Sequence, residues 1–300
     1  LRPKSISEVA KTKLDLNRLS EEVTAISNKQ PDVGILYSDT ARIYNRTYMN
    51  VIDVVYNAAI KSGNKVGFIL NNTSQNKINK YKTIVVPRVL NIEKSMLEKL
   101  SAYLSDGGKL IIIDGNSLKK DEYDNFNDTS LVNNILNESE IISCTTKTVT
   151  AISFPTVEYM QQKLEGELKV TDENGGRLSN VEWQSVKYED GYLVSVFNYD
   201  KNNSEKIILS KNQNEFDNII ELISVSDVTN AYELKPLGKA LFYVYNNIGK
   251  NNEIKKLSGT RSENINKLLW TPLLKGNNKY YIFRVDENGE LSFIKETSET

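Results

Sequence analysis

Histidine is absent from all 300 residues, and cysteine occurs once, as Cys144. Those two counts remove Ser-His-Asp and Cys-His triads, histidine-held zinc or iron, cysteine-rich metal sites and any intramolecular disulfide. Carboxylate chemistry remains open, with 39 Asp and Glu residues present. Glycoside hydrolysis needs two carboxyl groups on facing elements, one of them with a raised pKa. Glu158, Glu165, Glu167, Glu182 and Glu189 stand near one another in the sequence. At this acidic content such a grouping is expected by chance, and solvated surface carboxylates are the ordinary outcome. Asp39 and Arg42 follow a strand-like run. They are candidates for holding a ligand, although loop charges usually pair locally. A second candidate set is aromatic: Trp183, Tyr188, Trp270 and Tyr280, with Tyr192 and Tyr281 beside them. Exposed aromatics on strands can stack on pyranose rings, whereas strand aromatics more often fill cores or pair across strands. Tyr280 and Tyr281 must point to opposite faces. No Gly-x-Gly-x-x-Gly or Walker sequence occurs, so neither motif supports a nucleotide cofactor. The expectation is no cofactor and no metal.

The elements that must position these residues begin with three apolar runs. They are Val33-Gly34-Ile35-Leu36-Tyr37, Thr83-Ile84-Val85-Val86-Pro87 and Lys109-Leu110-Ile111-Ile112-Ile113-Asp114, joined by a weaker run over 65–70. Short runs apolar on successive residues suit strands buried on both faces, as in a parallel sheet. Between them, 47–61 carries Met49, Ile52, Val55, Tyr56 and Ala59, and 92–104 carries Met96, Leu97, Leu100 and Leu104, each an amphipathic stripe. Asp106-Gly107-Gly108 supplies a helix stop. Strands alternating with helices predict right-handed crossovers and a doubly wound sheet of the flavodoxin type. From about residue 145 the pattern changes to short alternating strands. Trp183–Tyr188 and Tyr192–Phe197 flank Glu189-Asp190-Gly191, and later Tyr280–Val285 and Leu291–Ile294 flank a turn at Asn288-Gly289. Ahead of the first strand, 5–27 reads as one amphipathic helix with Val9, Leu16, Leu19, Val23 and Ile26 at heptad-like spacing, packing on the domain that follows. The expected fold is α/β followed by all-β antiparallel sandwich modules. Its expected divisions are 1–31 (linking helix), 32–145 (α/β), 146–250 (β-sandwich) and 256–300 (a partial or small β module).

The net charge of −1 gives no reason to expect nucleic acid or an anionic membrane as partner. No apolar run approaches transmembrane length. A chain that opens on Leu1 without an initiator Met or a signal peptide is expected to be a piece of something longer. Abundant Asn and Lys suggest a bacterium of low genomic GC.

In order and texture the first half resembles the trimerisation domain of family-42 β-galactosidases, which has a class I glutamine-amidotransferase-like fold. The resemblance rests on Asp32–Ser38, on Asn79-Lys80-Tyr81-Lys82 leading into Thr83–Pro87, and on Leu104-Ser105-Asp106-Gly107-Gly108-Lys109-Leu110. It covers roughly residues 5–115. Residues 190–199 with Leu222 and Leu234-Lys235-Pro236 are similar to the small C-terminal β-sandwich behind glycosidase barrels. Leu269–Pro272 with Tyr280–Val285 resembles the start of a fibronectin type III module. Amidotransferases use Cys, His and Glu; this chain has no His, and Cys144 lies beyond the Gly-Gly strand. The family-42 catalytic glutamates stand on a (β/α)₈ barrel, and no eight βα repeats occur here. The resemblance implies an accessory region of a glycosidase, self-associating as a trimer, partnered by a catalytic barrel that this chain lacks. It also implies a secreted or cell-surface setting in a Gram-positive bacterium. The alternative is a carbohydrate-binding β module presenting the aromatics named above.

Overall fold

Each run of successive apolar residues becomes a parallel strand, and a fifth strand joins them. The computed structural model describes residues 3–148, 151–153, 155–212, 214–229, 231–246, 257–262, 265–270, 279–285 and 291–298. Two helices come first, α1 (Pro3–Arg18) and α2 (Ser20–Asn28). The single helix expected over 5–27 is broken at Leu19, with φ −103° and ψ 23°. The cause is tertiary. Leu19 and Ile26 sink into the outer face of the β-sandwich, and the Arg18 guanidinium donates to the carbonyls of Leu222 (2.8 Å) and Ile223 (3.1 Å). Val9, Leu16 and Val23 stay exposed, so the heptad-like set is not one face. This core lies on the sandwich, not on the α/β domain that follows in sequence.

The α/β unit runs β1 (Val33–Leu36), α3 (Asp39–Tyr44), α4 (Tyr48–Lys61), β2 (Val66–Ile69), α5 (Gln75–Ile78), β3 (Thr83–Pro87), α6 (Lys94–Ser105), β4 (Lys109–Ile113), α7 (Thr129–Glu138) and β5 (Glu140–Ile142). The sheet order is β2-β1-β3-β4-β5, parallel throughout. Leu110 to Ile113 are at most 1% exposed, each such side chain contributing roughly 1.5–3 kcal/mol of transfer free energy. On α4 the buried stripe is Tyr48, Val51, Ile52, Val55, Ala58 and Ala59, which leaves Met49 and Tyr56 of the predicted stripe on the outside. The paired glycines after α6 have separate duties. Gly107 takes φ 83°, and a Cβ on Gly108 would stand 2.4 Å from the Tyr103 ring.

The chain continues through β6 (Thr145–Thr148), β7 (Ala151–Ser153) and α8 (Val157–Leu164). Helix α8 occupies a stretch where short strands are expected, and its Met160 and Leu164 complete the core of the parallel sheet. Beyond it lie β8 (Leu168–Thr171), β9 (Val181–Tyr188), β10 (Gly191–Asn198), β11 (Glu205–Lys211), β12 (Asn214–Glu215), β13 (Asn218–Glu221), β14 (Ser226–Asp227), β15 (Tyr232–Leu234) and β16 (Lys239–Tyr245). One antiparallel sheet has the order β14-β13-β16-β10-β9; the other holds β12, β11 and β15, with β8 paired to β11. A core of Val194, Val196, Phe242 and Val244 with Ile207 and Leu209 fills the space between them. Because α2 covers the outer face, Ala240 to Tyr245 are buried on both sides. The predicted hairpin is present: Gly191 pairs with Tyr188 across Glu189 (φ 48°) and Asp190. Two further hairpins follow, β17 (Leu257–Ser262) with β18 (Ile265–Trp270), and β19 (Lys279–Val285) with β20 (Leu291–Ser298). The Asn288-Gly289 turn lies outside the described residues.

Candidate functional site

In a sheet of this order the winding reverses between β1 and β3, and the crevice at their carboxyl ends is where such folds bind ligands. Three polar residues stand at those ends: Ser38 after β1, Arg88 after β3 and Asp114 after β4. Arg88 (φ 57°) and Asp114 (φ 72°) both have left-handed backbones, a conformation that costs a non-glycine residue on the order of 1–3 kcal/mol. Their side chains are 12% exposed and joined, Arg88 Nε donating to Asp114 Oδ2 at 2.9 Å. Arg88 Nη1 also donates to Asn45 Oδ1 and Thr47 Oγ1, each at 2.9 Å, and Asn45 Nδ2 returns a bond to the Arg88 carbonyl. Ser38 Oγ caps α3 through the Ala41 amide and donates to the Asn91 carbonyl. Below them the buried Tyr48 hydroxyl donates to Leu36 O (2.8 Å) and accepts from Ser38 N (2.9 Å).

A strained strand end is the position at which α/β enzymes hold an exposed nucleophile. Here it carries a guanidinium, a donor and not a nucleophile, whose Nε and Nη1 are engaged by neighbouring oxygens. Cys144 lies nearby, and burial followed by the Asp114 carboxylate pushes its thiol up, away from the reactive thiolate. These cross-links within the crevice fix the α3–α4 corner and the strand-end loops.

Asp39 and Arg42 are brought together on α3, both exposed, and the Arg42 guanidinium donates to the Tyr37 hydroxyl at 3.0 Å. This is a solvated local arrangement. Arg88, Asp114, Asn45 and Asn91 are absent from the sequence-derived candidates. A polar residue immediately after each apolar run was the available signal, at Pro87-Arg88 and Ile113-Asp114.

Trp183 is buried rather than presented. It is 8% exposed, and its Nε1 donates to the Lys61 carbonyl at the end of α4, 3.0 Å away. Gly63 lies against the ring: its φ is 78°, and a Cβ there would stand 2.2 Å from the indole. Trp183 therefore joins the sandwich to the α/β unit and lines two clefts between them, of about 310 and 510 Å³. Tyr188 is half-buried, its ring edge-on to Tyr243 with centroids 6.2 Å apart. Trp270 closes β18 opposite Leu257, and Tyr280 in β19 pairs with Thr297. The larger cleft reaches Asp32, on which α2, β2 and β3 converge. Asp32 accepts from Lys29, from Lys82 Nζ at 2.8 Å and from Lys65 N at 3.2 Å. Burial alone would raise its carboxyl, but these donors outweigh it and hold the group below its usual range. Desolvation pulls the Lys29 ammonium down despite the same pair.

A doubly wound five-stranded sheet, its strand-end crevice bridged by an Arg–Asp pair and joined through Trp183 among others to a two-sheet sandwich, makes up an α/β-plus-β unit. Residues 31–135 match the family model described as the β-galactosidase trimerisation domain. No curated protein sequence matches the chain. Among solved structures it is similar to an apo GH42 exo-carrageenase from Bacteroides ovatus, with TM-score 0.61, 21% identity and coverage of 80% of this chain and 32% of that one. It is also similar to a catalytic mutant of Gan42B, a GH42 β-galactosidase from G. stearothermophilus, with TM-score 0.51, 13% identity and coverage of 72% and 40%. A β-galactosidase from Bacillus circulans sp. alkalophilus gives TM-score 0.50, 12% identity and coverage of 77% and 43%. At these identities the likeness concerns the fold. The chain spans about a third of the carrageenase and about two-fifths of the other two.

Proposed function

We propose that the chain is a non-catalytic accessory region of a bacterial glycoside hydrolase akin to the family-42 β-galactosidases. It joins subunits, as a trimer, and positions a catalytic barrel carried by another part of the protein. The observation that carries this reading is the match of residues 31–135 to the trimerisation-domain model. Two features of the geometry support it. The crevice that would hold a reactive group is occupied by the Arg88–Asp114 pair, and the Trp183–Lys61 junction holds the sandwich against the α/β unit, as a positioning role requires. Its partners are further copies of itself and a glycosidase domain, in a secreted or cell-surface enzyme of a Gram-positive bacterium. The test is multi-angle light scattering on the purified chain, whose monomer mass is 34.0 kDa. A particle of three chains is expected; a monomer at all accessible concentrations overturns the self-association.

A further inference from the structure

Within residues 31–135, three large apolar side chains stand out as the most exposed: Ile43 (79%), Phe126 (79%) and Tyr123 (76%). All three stand at the carboxyl end of the parallel sheet, and all fall within residues 31–135. Ile43 belongs to the α3 corner, with the exposed Tyr44 beside it. Tyr123 and Phe126 belong to the loop between β4 and α7. That loop is ordered without a partner. Asp121 Oδ1 accepts from the amides of Tyr123 and Asn125, Asn91 Nδ2 bonds the Asp121 carbonyl, and the Lys120 ammonium stands 5.9 Å from the Phe126 ring centre. Apolar groups held out on a braced loop have already lost the freedom that binding would remove. Their exposure costs solubility unless something covers them.

The two halves of this end differ in charge. The α3 corner carries Arg42 and Arg46 against Asp39, with Arg46 exposed and in no ion pair among the described residues. The loop carries four carboxylates over 121–128 against Lys119 and Lys120. Unlike patches of opposite sign on one molecule suit a heterologous contact, in which each copy offers its first patch to the second patch of the next; such contacts close into rings when the rotation allows. Aromatic and Arg side chains are also those enriched at interface centres.

Resting on the self-association proposed above, we infer that this end of the sheet is the contact between copies: the α3 corner (Ile43, Tyr44, Arg46) of one copy packs head-to-tail on the loop (Glu122, Tyr123, Phe126) of the next. The experiment is light scattering on the intact chain and on two variants, Ile43→Ser and Phe126→Ser, whose exposed positions leave folding untouched. The parent chain should run as a multimer and each variant as a monomer. An equimolar mixture of the two should form a dimer, because one interface keeps both of its native halves. Variants that keep the parent mass place the contact elsewhere while self-association stands. A mixture that stays monomeric overturns the head-to-tail arrangement. A monomeric parent overturns the self-association itself, and this inference with it.

Discussion

Trp183→Ala removes the indole that joins the sandwich to α4. A buried tryptophan covers roughly 150–250 Å², which at about 25 cal/mol per Å² is roughly 4–6 kcal/mol as an upper bound. Loss of the Nε1 bond to Lys61 O adds about 1 kcal/mol. Working against this, Trp183 lines both interdomain clefts, of about 310 and 510 Å³. Water therefore reaches the space the ring leaves, and little sealed void remains to be charged against the variant. The net expectation is about 3 kcal/mol, the low end of the range for Trp→Ala in cores. Urea denaturation followed by far-UV circular dichroism reads this directly, since at an m-value of roughly 3 kcal/mol/M the midpoint falls by about 1 M. Gly63→Ala should act in the same direction. A methyl at φ 78° would meet the indole 2.2 Å away, pushing it outward and shifting its fluorescence to the red. If Trp183→Ala moves the midpoint by less than about 0.2 M, the indole carries no more than about 0.6 kcal/mol and does not hold the two units together.

Asp32→Asn tests the triple junction at the sheet edge. Its folded pKa lies below the ordinary 3.8, so the stability it supplies is complete above that value and drains as pH falls through the lower folded one. The variant should be less stable at neutral pH and lose less on acidification, and parallel acid-unfolding curves for the two proteins would contradict this. Tyr48→Phe leaves Ser38 N and Leu36 O without the hydroxyl that bridges them; thermal unfolding should register about 2 kcal/mol, and an unchanged midpoint would mean that the bridge is energetically idle. Arg88→Met strands the Asp114 carboxylate and should cost roughly 3 kcal/mol. Adding Asp114→Asn, which removes the stranded charge, keeps an acceptor for the Asn116 amide and tolerates the left-handed backbone, should recover most of that in the same melts, and a further loss would show that the ion pair is worth more than its neutral replacement.

Elements whose signal is local can be read from the order of residues alone. Val33–Leu36, Thr83–Pro87 and Lys109–Ile113 are apolar on successive residues, and a strand buried on both faces is the conformation that hides all of them. The parallel sheet, α6 with its glycine stop and the β9–β10 hairpin were legible for that reason. Periodicity states which residues share a face, but not which neighbour that face will meet. The N-terminal helix shows this: its apolar repeat is real, yet only Leu19 and Ile26 are covered, and the covering surface is a sandwich that begins far downstream. Helix α8 was unreadable because its stripe is short and its partner is the core of the other unit. At the candidate site the limit is the same. That Trp183 lies on a strand follows from alternation; that it is roofed by Gly63 and bonded to Lys61 depends on contacts 120 or more residues apart. Arg88 and Asp114 meet only because parallel winding brings the ends of two adjacent strands together. Local chemistry chose the strands and helices, while long-range packing decided which polar groups would be sealed into the crevice and which apolar ones left facing water.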